Sequence, residues 1–560
     1  MRRTTISDLL LVSLLMTAGA SRADYIDHFA TRADVGLYKA PSTGATKVLV
    51  IPVFVDDQPY SAGSEAAFVA EINDFFADDD RSVFDGGFRF SPYWEQASLG
   101  RFRPSAVVAA PVHFPTCPPL GDNEGCEIPR GGGFADGDTV AAINTLTDAM
   151  RFLDQVFLCA TDGPAEGRGC TSGGGVDLHD VDVSGGDEGS PDGFVDGVII
   201  VSNAAFPGIA LPVKDLSQQQ LLRLFGPFPS FQYSGGDGVE PVTIAAVGIA
   251  GSATKPQRET FVAVHEFGHL LGFADLYNEA GTTTDLPYSL MGGWYYDSAA
   301  SLLDPFSRVA IGWANVLDVS TSGTFELPSA ARSGVVLKVG GGDEFLLVEH
   351  RAKHDGILDG DLGVDSGVLI ERVRLSRRPG AAPGSYFSTL QDCVDCNAFD
   401  AMLTIEEADG DYGLQRGLAR DDGDDLFAAG EALAPSTNTR ARAATNAVGS
   451  SNLLSGAATG ITITVDSSDD DGARVRVELP ARAAGCADLE AFCTGPCSVD
   501  DDDNGRCGDF ATFPAVPPTP VGDGDGNGDG DNDDVGCGAV PTTALSGLAF
   551  VLALRRRRRG

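Results

Sequence analysis

The stretch His265-Glu266-Phe267-Gly268-His269-Leu270-Leu271-Gly272-Phe273-Ala274-Asp275 decides how the chain around it is to be understood. Histidines four residues apart on a helix stand one above the other on the same face, so both rings can reach one metal ion. Glu266, directly after the first histidine, is placed to reach a water on that metal without being a ligand. Gly272 lets the chain leave the helix in a conformation other residues resist. The turn it permits brings Asp275 back as a third ligand, and the fourth position is left for water. Glu279, four residues further on, is the competing third ligand. With 7 His in 560 residues, a chance His-Glu-x-x-His match is expected roughly 0.004 times in a chain of this length.

The 560 residues are enough for two or more domains. Hydrophobic residues make up 43% and charged residues 21%, which suits a chain that buries a core over most of its length. The formal net charge of −41 argues against nucleic acid as a partner, because binding phosphate needs clustered Lys and Arg. Solvated surface and calcium-binding loops both account for such acidity.

Residues 1–23 read as a secretory signal peptide, with Arg2 and Arg3, an apolar run from Leu9 to Met16, and small residues at Ala18, Ala20 and Ala23. The apolar run is too short to span a bilayer. Cysteine usage agrees with export. Ten of the 11 cysteines fall in local groups: Cys117 with Cys126, Cys159 with Cys170, Cys393 with Cys396, and Cys486, Cys493, Cys497 and Cys507 together. Even numbers in short loops of an exported chain predict disulfides.

Working outward from the motif, a short arm (24–44) precedes the apolar run Lys47–Val55, which predicts a strand buried on both faces. Ala66–Phe76 and Tyr93–Phe102 predict helices, the second ended by Gly100. Apolar residues at helical spacing predict a long helix over Asp138–Leu158. Asp192–Val201 reads as an acidic turn feeding a buried strand, and Thr254 with Gln257 as a capping box opening the motif helix. Alternating strands and helices make 45–320 an α/β (α+β) domain. Beyond it, Glu344–Glu349, Gly367–Glu371, Ile461–Val465 and Ala473–Leu479 are short strands parted by Gly and Asp turns, so 321–482 is expected to be a β-sandwich. A Cys-rich segment (483–513) and a Pro/Asp/Gly-rich linker (514–536) follow.

Met291 lies 16 residues after Asp275, inside Tyr288-Ser289-Leu290-Met291-Gly292-Gly293-Trp294. That spacing suits a methionine turn beneath the metal, although a methionine there is also ordinary core packing. Taken with the zinc motif, these segments resemble the immune inhibitor A family of secreted metallopeptidases. His265–Tyr277 is similar to that family's HEFGHxLGxxDLY, Trp94–Phe102 to its SYGKF-type segment, Asp192–Asp196 to its acidic turn, and Glu344–Arg351 with Gly367–Ile370 to its post-catalytic strands. The resemblance covers about 45–375. It implies a metzincin-like zinc endopeptidase with bound calcium, in which His265, His269 and Asp275 hold the zinc and Glu266 is the general base. Zinc there would bring its water to a near-neutral pKa and polarise the scissile carbonyl, and Glu266 would carry the proton to the leaving amine. Tyr295 or Tyr296 is a candidate for stabilising the oxyanion.

Asp187, Asp192 and Asp196 offer hard oxygen ligands in a Gly-containing turn and are candidate calcium ligands, an acidic surface turn being the plain alternative. The segment 537–560 places Cys537, an apolar run Ala539–Leu554 and Arg555–Arg559 in order. It resembles the tripartite sorting tails of myxobacterial surface proteins. That implies a transient transmembrane helix, cleavage near Cys537 and surface display, with a lipid on Cys537 as the membrane link. An ordinary C-terminal anchor is the alternative. The expected partners are protein or peptide substrates, with no nucleic acid, and the expected state is a monomer. Two other classes remain open: a surface adhesion or matrix protein on a protease fold, and an amidase acting on cell-wall peptides.

Overall fold

A computed structural model of the chain describes residues 43–56, 64–77, 89–116, 152–165, 169–181, 194–203, 209–211, 232–233, 242–244, 247–251, 256–271, 273, 276, 288–292, 301–341, 344–353, 358–359, 365–374, 403–410, 414, 425–435, 450–453, 457–480, 498–499 and 505–506. The chain divides into two compact units, Met1–Ala515 and Val516–Gly560. The second lies wholly outside the described residues, and with it the linker, Cys537 and the expected sorting tail. The first is a mixed α/β structure with several sheets and few helices.

Its opening strand, β1 (Gly44–Val55), is buried from Val48 to Val55, as its run of β-branched residues requires. It pairs in parallel with β2 (Phe102–Val108), with β3 (Val112–Phe114) and with β5 (Val198–Ser202). Strand β9 (Val247–Gly251) continues the sheet parallel to β5, and β6 (Ile209–Leu211) closes that edge antiparallel. A small separate sheet holds β4 (Phe194–Val195), β7 (Gln232–Tyr233) and β8 (Val242–Ile244). Parallel neighbours need crossovers that lay helices on the sheet. Helix α1 (Glu65–Phe75), capped by the Ser64 hydroxyl, buries Phe68, Ile72 and Phe75 at helical spacing.

Helix α2 (Phe90–Ala97) buries Phe90, Tyr93, Trp94 and Ala97. It begins earlier than the sequence predicts and stops before Gly100. Ser98 causes the early stop: its Oγ accepts from the amide of Phe102 at 2.9 Å and donates to the Phe102 carbonyl at 3.1 Å. The chain then reverses through Leu99 (φ 58°) and Gly100 (φ 75°), and Phe102 starts β2. Of the long helix expected over 138–158, the described part, 152–162, is helical and runs four residues further. The Cys159–Cys170 disulfide ties the end of this helix to the segment that follows. The other expected cysteine pairs lie outside the described residues.

The second half is antiparallel apart from one pair. A five-stranded sheet runs β10 (Asn315–Val319), β12 (Val335–Gly341), β13 (Glu344–Arg351), β14 (Gly367–Arg374), β15 (Leu403–Ile405), with β10 and β12 parallel. A four-stranded sheet runs β11 (Gly323–Pro328), β18 (Gly472–Glu478), β17 (Thr462–Ser468), β16 (Ala432–Leu433). A short hairpin, β19 (Ser498–Val499) with β20 (Gly505–Arg506), lies in the Cys-rich segment.

Successive side chains on a strand point to opposite faces. Along β13, Leu346 and Val348 enter one apolar cluster with Ile463, Val465, Val475 and Val477 of the four-stranded sheet. Phe345 and Leu347 enter the other, with Phe102, Phe267 and Trp313. The middle sheet is therefore covered on both faces, and the larger cluster runs continuously across residue 320. The turn-forming helices α4 (Pro305–Ile311) and α5 (Ala330–Ser333) lie among these elements. No helix among the described residues is long and apolar enough to cross a membrane.

Candidate metal centre

Helix α3 (Pro256–Leu271) carries the motif and packs against β9, β5 and β6. From Val262 onward its side chains are buried. His265, Glu266 and His269 are 4%, 1% and 0% exposed. The two imidazoles meet edge to face, with centroids 4.9 Å apart and planes at 85°. Each Nδ1 is committed to the main chain: His265 to the Leu290 carbonyl at 3.1 Å and His269 to the Phe273 carbonyl at 2.7 Å. A carbonyl oxygen only accepts, so Nδ1 is the donor in each bond, and a ring protonated there alone has its lone pair on Nε2. That is the arrangement in which histidine binds a metal through Nε2, its orientation held by the bond on the other side. The donor chemistry of both histidines therefore fits a zinc ion.

The rest of the helix end is shaped around this pair. Phe273 donates its amide to the Gly268 carbonyl at 3.0 Å, which folds the chain back and brings the Phe273 carbonyl to His269. Leu276 donates to the Met291 carbonyl at 2.9 Å, which ties it to the turn at 288–292. A Cβ on Gly268 would stand 2.7 Å from Met291 Sδ, so the methionine lies directly against the helix between the two histidines. On another side of the helix, Phe267 packs among Phe90, Trp94 and Phe102 at 5.1, 5.6 and 6.2 Å. A Cβ on Gly197 would come within 3.1 Å of Phe267, which places the turn between β4 and β5 against the motif helix. Asp196 in that turn is buried.

The structure thus brings His265, Glu266, His269 and Met291 together, with Asp196 on the neighbouring turn. Gly272, Asp275, Glu279, Tyr295 and Tyr296 lie outside the described residues, as do Thr254, Asp187 and Asp192. Among the described residues no group of three or more His, Cys, Asp or Glu side chains is arranged to hold a metal.

Behind the turn lies a buried polar system that the sequence reading does not anticipate. Ser289 donates to Asp304 Oδ2 at 3.0 Å and accepts from the amides of Met291 (3.3 Å) and Asp304 (3.2 Å). Tyr288 donates to Asp425 Oδ2 at 2.9 Å. Asp304 Oδ1 caps α4 by accepting from Ser307 at 2.8 Å. Arg308 pairs with Glu349, and Arg351 pairs with Glu349 at 2.6 Å and Asp359 at 2.8 Å. Both guanidiniums also donate to the Leu303 carbonyl, at 3.2 and 2.9 Å.

Burial, then the charge of Arg351, pulls the Arg308 guanidinium down to about 9, so it is still charged at neutral pH. Burial, then the Asp304 carboxylate, pushes the Glu371 carboxyl well above the usual range. Both causes oppose charge on Glu371, while the Phe306 amide and the guanidiniums of Arg351 and Arg308 pull the other way. Two local signals pointed here. Asp304-Pro305 is the N-cap and N1 signature of a helix, and Glu349 and Arg351 are charges that follow the apolar run Phe345–Val348 within one strand.

No family model matches the sequence, and no curated protein matches it.

Proposed function

We propose that this protein is a zinc-dependent endopeptidase that hydrolyses peptide bonds of extracellular proteins. The observation that carries the proposal is the pair of buried histidines on α3, each with Nδ1 engaged by a main-chain carbonyl, beside a buried glutamate. His265, His269 and Asp275 would hold the zinc, which when bound supplies an activated water and a polarised scissile carbonyl. Glu266 would take the proton from the attacking water and return it to the leaving amine. Its burial beside the histidines suits a base that works out of bulk solvent. Met291 would support the two ligands from beneath, through its contact with Gly268.

The finer architecture belongs to the same proposal: a metzincin-like domain built on β1–β9 and α3, and a β-sandwich built from the five- and four-stranded sheets. The parallel sheet behind the motif helix and the apolar cluster shared by the two later sheets support it. An exported setting is supported by the Cys159–Cys170 disulfide, since such bonds persist in oxidising compartments.

Purified protein tests the activity. Glu266→Ala should keep stoichiometric zinc and lose about 10²–10⁴-fold in casein hydrolysis. Chelation should silence the wild type and zinc restore it. Undiminished cleavage by Glu266→Ala would overturn the assignment. For the ligand set, Asp275→Ala should weaken zinc binding sharply while Glu279→Ala should not. The calcium expectation at Asp187, Asp192 and Asp196 is checked by thermal melting, where a midpoint indifferent to calcium would remove it.

A further inference from the structure

We infer that Ser289, Asp304, Tyr288 and Asp425 are positioning residues for His265, so that a segment supplying no ligand sets the geometry of the proposed zinc site. The inference rests on the zinc reading above and goes beyond its ligands and base.

The argument starts at the acceptor. His265 is oriented by the Leu290 carbonyl, a main-chain atom in a turn rather than in a helix or sheet ladder. A turn carbonyl stays in place only if its flanks are held. Both flanks are. Ser289, the preceding residue, uses its whole hydroxyl capacity: one bond given to Asp304 and two accepted, one of them from Met291 on the far side of Leu290. The hydroxyl thus brackets the very peptide that carries the acceptor. Tyr288, one residue earlier, is bonded through its phenol to Asp425, 137 residues away. Tyr288, Ser289, Asp304 and Asp425 are all buried, so water does not substitute readily for any of these bonds.

The anchors are themselves fixed. Asp304 spends its other oxygen on the first turn of α4. Helix α4 is pinned to the middle sheet by Arg308 on Glu349 and by the Phe306 amide on Glu371. Arg351 of β13 reaches back to the Leu303 carbonyl beside Asp304. An unbroken line of hydrogen bonds therefore runs from β13 and β14 through Asp304 and Ser289 to the turn, and from the turn to His265. Core packing alone would be satisfied by apolar residues at 288 and 289. A hydroxyl with all its bonds made, bracketing one peptide, fixes a direction as well as filling a volume.

The test uses the full chain with Ser289→Ala, Tyr288→Phe and Asp304→Asn, each read for zinc dissociation constant by chelator competition and for the melting midpoint of the zinc-free protein. Losing such orienting partners typically weakens metal binding about 10–100-fold. The expected result is a loss in that range for Ser289→Ala and Tyr288→Phe. Substituting Co(II) for zinc should show an altered visible spectrum in the same variants. A purely structural role would instead lower the zinc-free midpoint and leave the dissociation constant of the folded protein within twofold of wild type, and that result overturns the inference while the protease reading stands. Asp304→Asn keeps the shape of Asp304 while removing its charge, and a loss of zinc affinity in the same direction is expected of it, with an unchanged dissociation constant counting against the inference. If wild type itself takes up no zinc, the protease reading falls and this inference with it.

Discussion

The motif helix and the sheet behind its turn are both buried, yet they are held by opposite means. Around α3 the packing is aromatic: Trp94 stands within 4.9–6.4 Å of Tyr93, Phe267, Phe273 and Trp313, and Phe102 stacks on both Phe267 and Trp313. Around β13 and β14 the apolar packing is joined by buried charges, and Glu349 and Arg351 form ion pairs with Arg308 and Asp359 closed off from water. The hydrophobic burial of these rings is non-directional, and their stacked and edge-to-face pairings add a modest geometric preference. Buried ion pairs require particular geometry and are costly when half removed. The contrast teaches where precision resides. The helix supplies the chemistry on an apolar cushion, and the directional bonds that fix the turn beside it come from the later strands.

The comparison can be broken first at its two strongest points. Trp94→Ala should cost about 3–5 kcal/mol through the cavity it opens, and Arg351→Ala about 3–5 kcal/mol by leaving Asp359 buried without its guanidinium and Glu349 with Arg308 alone. Chemical unfolding measures both. The contrast predicts that Arg351→Met regains little, since the stranded Asp359 carboxylate remains, whereas Trp94→Phe regains much. Equal recovery in the two cases would show that the regions are not held differently.

A titration sharpens it next. Burial pulls the His350 imidazole down to about 4 from its ordinary 6.5, against the opposing pull of Asp469 and Asp470 and a backbone hydrogen bond at Asp469. The unfolded chain thus binds this proton more tightly than the folded one. The contribution is fully present above pH 6.5 and is lost as pH falls towards 4, about 3 kcal/mol in all. Unfolding free energies measured across that window should fall for wild type, and His350→Phe should flatten the slope by about that amount.

The smallest effect concerns the helix itself. Gly268→Ala gains about 1 kcal/mol of helix propensity but drives a Cβ to within 2.7 Å of Met291 Sδ. Because Met291 is buried, the methionine has to move, and overpacking of this kind costs about 1–3 kcal/mol. A net loss of about 1 kcal/mol is expected, and Met291→Ala in the same chain should relieve it. A stabilised Gly268→Ala protein would show that the methionine does not press on the helix.

Much of the architecture was legible because its signals are local. The strand over Lys47–Val55 and those at 344–349, 367–371, 461–465 and 473–479 announce themselves by apolar runs and period-two alternation, and the structure has strands there. The end of α2 was misplaced because a side chain intervened: Ser98 took the bonds of the Phe102 peptide before Gly100 was reached. No periodicity reports that competition.

What the sequence by itself determined is the set of groups one helical turn can bring together: His265 and His269, whose four-residue spacing fixes a common face whatever surrounds them, with Glu266 adjoining the first. What only the tertiary structure decided is which atoms hold those groups still. Leu290, Ser289, Asp304, Asp425, Arg351 and Glu371 are separated by up to 136 residues, from 289 to 425. Their partnerships depend on strand register, which sends Glu349 and Arg351 to one face of β13 and His350 to the other. A hydrogen bond is a condition on distance and direction between atoms, and only the folded chain sets either for residues so far apart.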